Sequence, residues 1–437
     1  MRRYLTFATV SLALVMSSIN TTVVSVALPS LTHDLGISLI WAGWSLTSYQ
    51  LMMTVAMPLA GKLSDVLGRK RVFLFCVFLF TVSSFLSGVA PNIYWLIAFR
   101  ALQGLGGGGF MPSAAGIVTE DFPKSRDRAI GLFTSILPIG GVIGPNLGGW
   151  LAQYYSWRYV FYINVPVGIA VMLLGSLLLR ETAVKSPAKI DLPGAGMFTA
   201  AIASLMFALT QMGERSNPLS GPVAALFLLL TMAFALAFFR REQRVANPVM
   251  DLELLKRKPF VAANIYNLFF GASVFGVFQL MPLYAVSVFG LSTLGSGAIL
   301  TPRSLAVMFT STVTSFLLNR LGYRLPMVLG LLLIGGSSLA LAIPGGAPGG
   351  TGFLVLIMVI WGLGMGIAMP ASNNACIELM PDRVATIVGL RGLFRNLGGV
   401  IGTATGALLL HVYGFNRGFP IMFATFGIAL FVLIPVV

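Results

Sequence analysis

The sequence predicts an all-α polytopic membrane protein built from two related halves, and three observations carry that expectation. Of 437 residues, 57% are hydrophobic and 9% charged, whereas an ordinary soluble domain is about 25% charged. The apolar residues gather into fourteen windows of about 20 residues, the length at which a helix crosses a bilayer. The chain also repeats itself. Shifted by 258 positions, Ile139-Gly140-Gly141-Val142-Ile143-Gly144 falls on Leu397-Gly398-Gly399-Val400-Ile401-Gly402.

Other segments repeat in the same order. At the 258 shift Gly104-Leu105-Gly106, Met111-Pro112, Glu120 and Pro123 fall on Gly362-Leu363-Gly364, Met369-Pro370, Glu378 and Pro381. At a shift of 254, GKLSDVLGRK at 61–70 faces SFLLNRLGYR at 315–324. Ordered matches with nearly equal shifts point to a duplication and place function where the halves meet.

Taken in order, the windows run 5–28, 41–60, 72–91, 94–118, 130–153, 159–179, 193–213, 220–239, 261–288, 294–318, 325–344, 351–377, 386–410 and 418–437. The first is too long for the core of a signal peptide, so it reads as an uncleaved helix. From a cytoplasmic N-terminus, alternating loops put 21 of the 28 Lys and Arg inside and only Arg158, Arg215 and Arg417 outside. That bias predicts a multi-pass protein of the cytoplasmic membrane with both termini in the cytoplasm. The net charge of +15 thus records orientation in the lipid bilayer, and nucleic acid is not an expected partner. The repeat maps spans 2, 4 and 5 onto 10, 12 and 13. It therefore divides the chain into a six-helix bundle at 1–180, two inserted helices with a cytoplasmic linker at 181–258, and a second six-helix bundle at 259–437.

Several stretches carry a mechanism. In the turn between spans 2 and 3, glycines allow close approach and a sharp reversal. Asp65 there can pair with a basic group in only one arrangement of the halves, which makes Gly61, Asp65, Gly68, Arg69, Lys70 and Arg71 an expected cytoplasmic gate. Span 4 contains Arg100, Gln103 and Gly104. In span 5, Gly140, Gly144, Pro145, Gly148 and Gly149 form a small-residue stretch that lets backbones approach closely in lipid.

The charged inventory is uneven. All 13 acidic residues fall in loops or at span ends, so no carboxylate is expected near the bilayer centre. Arg303 and Arg395 lie deep within spans, where an arginine costs about 2.5–3.5 kcal/mol and should face protein, water or substrate. Arg100 and Arg391 lie closer to span ends and either snorkel or face the interior. Asn20, Gln50, Asn373 and Asn374 either hydrogen-bond neighbouring helices or join Arg303 and Arg395 in lining a substrate cavity.

The turn at 61–71, with its echo at 315–324, is similar to that of the major facilitator superfamily. Gly140 to Gly149 and Arg100-Ala101-Leu102-Gln103-Gly104 resemble that superfamily's antiporter and fourth-helix motifs. Four further stretches resemble the fourteen-helix drug:proton antiporters: Asn20-Thr21-Thr22-Val23 through Ala27-Leu28-Pro29, Trp157-Arg158, Ile163-Asn164-Val165-Pro166-Val167-Gly168, and Asn247-Pro248-Val249-Met250-Asp251-Leu252. The resemblance runs from end to end. It implies a major facilitator fold of two six-helix bundles plus two inserted helices, with spans 1, 4, 9 and 12 lining a midplane cavity and spans 2, 5, 10 and 13 closing the interface between bundles. It also implies a monomeric exporter of amphipathic or drug-like small molecules in exchange for protons.

One departure bears on coupling. The family usually has an aspartate in the first helix where this chain has Asn20, and an asparagine where it has Ser25. An amide has no titrating proton near neutral pH. Coupling then needs a carboxylate nearer a membrane face, with Asp34, Asp65, Glu120 and Glu378 as candidates. The alternatives are a lipid flippase, an uncoupled facilitator or an organic-anion exchanger. The sequence has no phosphate-cradling loop, metal cluster or nucleophile constellation, so neither an enzyme nor a cofactor is expected.

Overall fold

The computed structural model describes residues 2–123, 129, 132–133, 136–181, 191–213, 220–245, 258–343, 350–378 and 384–437. Every element among them is helical. In order they are α1 (Arg2–Leu35), α2 (Leu39–Leu67), α3 (Arg69–Gly88), α4 (Ile93–Asp121), α5 (Leu137–Tyr154), α6 (Tyr159–Tyr162), α7 (Asn164–Leu178), α8 (Leu192–Gly213) and α9 (Ser220–Glu242). There follow α10 (Lys258–Phe289), α11 (Thr293–Ala298), α12 (Leu300–Leu321), α13 (Arg324–Leu341), α14 (Gly350–Glu378) and α15 (Val384–Val432). Nine helical stretches among the described residues are long and apolar enough to cross a membrane. Helices are the expected solution, because hydrocarbon offers the backbone no partner and each segment must satisfy its own N–H and C=O groups.

Local sequence sets the breaks between helices. Asn92 caps α4, its side chain accepting from the backbone N–H of Tyr94 and Trp95 at 3.1 and 3.2 Å. Gly68 turns α2 into α3 at φ 94°, and its repeat partner Gly322 turns α12 into α13 at φ 66°. A side chain at either position would be strained. Gly414, at φ 70°, breaks the long α15.

The helices form two compact units. The first holds residues 1–37, 44–205 and 225–249, and the second holds 38–43, 206–224 and 250–437. Within the first, α1 packs on α4, α5 and α7, and α3 packs on α4 and α7; Phe73, Phe80 and Phe110 meet at its core. Within the second, α10 packs on α15, while α14 packs on α12 and α13. In the first unit the start of α8 is tied to the end of α9 by buried Asp191, which accepts from Arg241 Nε at 2.7 Å and from the Gly194 N–H at 3.1 Å.

The sequence repeat is repeated in the packing. Gly140 and Gly144 bring α5 against Ser18 and Thr22 of α1; their repeat partners Gly398 and Gly402 bring α15 against Leu268 and Ala272 of α10. Gly106 sits where a Cβ would lie 2.7 Å from the Cys76 carbonyl of α3, and Gly364 where one would lie 2.9 Å from the Gly330 carbonyl of α13. Three glycine pairs of the duplication thus mark helix crossings, a consequence of close backbone approach in lipid. This corrects one expectation. The face of Gly140, Gly144 and Gly148 packs on α1 of its own unit, where the sequence reading set it between bundles, and Thr22 Oγ1 donates to the Gly140 carbonyl at 3.0 Å across that contact.

Candidate functional site

Five helices of the first unit converge on one buried polar network. Asn20 of α1 has no exposed surface, and its Oδ1 accepts from Gln103 Nε2 of α4 and from Asn164 Nδ2 of α7, both at 3.3 Å. Gln103 also donates to Ser84 Oγ of α3 and accepts from Arg100 Nη1. Arg100 is 1% exposed, donates through Nε to the Ser45 carbonyl of α2 at 2.8 Å, and lies 4.2 Å over the Tyr49 ring. Arg100 therefore does not snorkel. A carbonyl, an amide oxygen and a ring face take the place of a carboxylate, and among the described residues no acidic side chain enters the network. Hydrogen bonds to a charged group contribute about 1.5–3 kcal/mol each, and a desolvated cation–π contact about 2 kcal/mol. Asn20 Nδ2 is left with no partner.

The second unit buries its own arginine in the equivalent layer. Gly104 crosses α2 at the Tyr49 carbonyl, and its repeat partner Gly362 crosses α12 at the Arg303 carbonyl. Arg303 thus stands in α12 where Tyr49 stands in α2, and Trp361 stands where Gln103 does. The guanidinium of Arg303 lies 3.9 Å from the Phe278 ring centre and 4.6 Å from that of Trp361, with Nη2 3.3 Å from Met365 Sδ. Neither Arg303 Nε nor Trp361 Nε1 has a hydrogen-bond partner. The two halves therefore share a buried cation on an aromatic ring, with cation and ring exchanged between helices.

The remaining expected cavity residues separate into two groups. Gln50, like Asn20 and Arg303, is buried. Asn373, Asn374 and Arg395 keep partial exposure, and Asn373 Oδ1 accepts from Arg391 Nη1 at 3.3 Å. Sequence reasoning gave no role to Tyr49, Ser84 or Asn164. Of these only Asn164 carried a signal, as the polar residue in the quoted stretch 163–168.

The gate residues fall at one end of the first unit. Arg69 pairs with Glu120 of α4 at 2.8 Å and donates to the Gly116 carbonyl. Gly116 makes room for it, since a Cβ there would lie 2.6 Å from Arg69 Nε. Lys70 Nζ donates to the Ser176 carbonyl at 2.8 Å, and exposed Arg71 lies 3.5 Å from Glu181. Gly61 has ordinary spacing to Pro112, at 3.7 Å. The side chain of Asp65 lies outside the described residues, so the expected latch is neither placed nor partnered. Two other candidate carboxylates are held at helix ends: Asp34 accepts from Trp157 Nε1 at 2.8 Å, and Glu378 accepts from Tyr323 Oη at 2.6 Å. That last bond, with burial and the Glu378 charge, raises the Tyr323 pKa above the ordinary phenol range.

Duplicated helical halves, each with a buried arginine and a glycine-packed crossing, define a transporter of the major facilitator type. The family profile described as Major Facilitator Superfamily matches residues 10–403, and the chain belongs to that superfamily, a family of transporters and not of enzymes. Among relatives, it is 31% identical over 414 residues to the Multidrug transporter protein MdtP of Bacillus subtilis, covering 93% of this chain and 75% of that one. It is 32% identical over 416 residues to the Multidrug resistance protein B homolog of Mycobacterium tuberculosis, covering 93% and 76%. It is 30% identical over 413 residues to the Tetracenomycin C resistance and export protein of Streptomyces glaucescens, covering 94% and 76%. Two solved structures share the fold. One is a peptide transporter POT in complex with sulfate, at TM-score 0.73, 18% identity and 98% and 94% coverage. The other is a bacterial homolog to the human lysosomal transporter Spinster, inward-facing and unoccupied, at TM-score 0.72, 16% identity and 100% and 96% coverage.

Proposed function

We propose that this chain is a secondary transporter that exports amphipathic or drug-like small molecules across the cytoplasmic membrane by alternating access of its two halves. One observation carries the proposal: the halves repeat the same helix crossings, glycine for glycine. Two equivalent rigid bundles are what a rocking mechanism needs. The relatives named for multidrug transport supply the substrate class. Fourteen crossings are part of this reading, in which α6 and α7 make one, α11 and α12 make one, and Gly414 divides α15 into two. The topology keeps both termini in the cytoplasm, with the bundles at 1–180 and 259–437 and the insertion at 181–258 between them, and the unit of transport is the monomer.

Energy coupling in this proposal is to protons but does not run through α1. Asn20 and its partners Gln103 and Asn164 are amides, which hold hydrogen bonds without titrating. The proton carrier is then a carboxylate towards a membrane face, with Asp34, Asp65, Glu120 and Glu378 the candidates. Arg69 to Arg71 and Asp65 gate the cytoplasmic side. The test is dye efflux from proteoliposomes with and without an imposed pH gradient. Gradient-driven efflux supports the reading, whereas efflux indifferent to the gradient makes the chain a facilitator and no efflux refutes export.

A further inference from the structure

We infer that the second unit holds an oxyanion site between α10, α14 and α15 that takes the carboxylate of an amphipathic organic anion. Three side-chain donors carry the inference. Tyr266 Oη of α10, Arg391 Nε and Arg395 Nε of α15 are each buried with no hydrogen-bond partner. Tyr266 is 1% exposed and Arg391 6%. Arg391 and Arg395 are four residues apart, so their side chains leave α15 on one face about a turn apart. Arg391 lies within electrostatic range of both Arg395 and Tyr266. Its Nη1 donates to Asn373 Oδ1 of α14 at 3.3 Å. Cys376 Sγ, which accepts from Asn267 Nδ2 at 3.7 Å, is a further hydrogen-bond neighbour of Arg391.

The contrast with Arg100 decides the reading. That arginine is met by a backbone carbonyl at 2.8 Å and an amide oxygen, as a structural cation should be. Arg391 has a second guanidinium, that of Arg395, and the Tyr266 phenol as neighbours, and among the described residues no carboxylate answers them. A ligand carboxylate offers two acceptor oxygens, the complement that guanidinium donors recognise best. The stacked rings of Tyr266 and Phe270, 5.5 Å apart with 15° between planes, give an apolar body a flat surface beside the charge. The choice of an amphipathic anion over a bare one rests on the proposed export of amphipathic molecules; the oxyanion site itself does not.

The test is equilibrium binding to the purified full chain in uncharged detergent, by calorimetry, with 2-naphthoate, its neutral isostere 2-naphthamide and inorganic phosphate. The site predicts that naphthoate binds at least about tenfold more tightly than naphthamide and that phosphate does not compete. Arg391→Gln and Arg395→Gln should each weaken naphthoate by about tenfold or more, and Tyr266→Phe by severalfold, while Arg417→Gln at an exposed position leaves affinity unchanged. Equal affinity for naphthoate and naphthamide overturns the inference, as does unaltered naphthoate binding in the arginine variants. Phosphate binding without naphthoate binding would assign the cluster to a free inorganic anion and equally overturn it. Should the arginine variants not fold, Tyr266→Phe removes a single hydroxyl and decides alone, unaltered affinity again being the contrary result. Because binding is read without transport, a failure of export in vesicles leaves this result standing, and the converse also holds.

Discussion

Replacing Gly402 by alanine should destabilise the protein, while the same replacement at Gly336 should stabilise it. A Cβ at Gly402 would run into the Ala272 carbonyl oxygen of α10 and lie 2.7 Å from the carbonyl carbon and Cα of that residue. These are backbone atoms of a packed helix and cannot rotate away. Ordinary contact begins near 3.4 Å, so α10 and α15 must separate by about an ångström, an overpacking that costs about 1–3 kcal/mol. Alanine's better helix propensity returns about 0.8–1.0 kcal/mol. At Gly336, exposed on α13, a Cβ would meet nothing within 4 Å, so only the propensity gain applies. The difference between the two variants isolates the crossing, at about 1–3 kcal/mol. Thermal unfolding of both in one detergent, followed by intrinsic fluorescence, measures it. If Gly402→Ala melts as high as Gly336→Ala, the claim that glycine spacing sets the helix crossings fails.

Arg100→Gln should remove the bonds to the Ser45 carbonyl and Gln103 and lower stability by at least about 2 kcal/mol. A double-mutant cycle with Gln103→Leu should show coupling of about 0.5–3 kcal/mol, and strict additivity would mean the network is not cooperative. Asp121 ends α4 beyond the predicted span, and its carboxyl pKa is raised, first by burial and only partly offset by a hydrogen bond from Thr6 and the charge of Arg180. A raised folded pKa favours the folded state at low pH and loses that benefit as pH rises. Asp121→Asn should therefore stabilise at neutral pH, with the gain vanishing as pH falls through the carboxyl's titration. Melting curves across that range check the sign, and a gain that grows on acidification would contradict it.

The class of fold was legible because lipid leaves little choice. Apolar windows of spanning length must be helical, and the glycine repeat survives in sequence because each glycine is held by a crossing. What glycine cannot tell is which helix approaches. Gly140, Gly144 and Gly148 announced a close contact, but by sequence alone α1 and another bundle are equally good partners. The buried network was harder still. Arg100 stood at snorkelling distance from a span end, and only the bend of chain that brings the Ser45 carbonyl and the Tyr49 ring over it shows an interior arginine. Asn20, Gln103 and Asn164 are 83 and 61 residues apart along the chain, and no local pattern pairs three amides. Arg69 and Glu120 each stood out in the sequence, but at 51 residues apart along the chain no local pattern pairs them.

The most direct measurement is substrate flux and internal pH, recorded together, in proteoliposomes of the wild-type chain and of Asn20→Asp. In the folded first unit the new carboxylate would face Gln103 Nε2 and Asn164 Nδ2 in a site with no exposed surface, where desolvation raises a carboxyl pKa towards the working range. The account predicts that the substitution adds a proton-linked step: the ratio of protons to substrate rises, or flux acquires a new dependence on pH. Wild-type stoichiometry and pH dependence retained unchanged in Asn20→Asp would contradict the claim that the missing acid of α1 sets how this transporter is coupled.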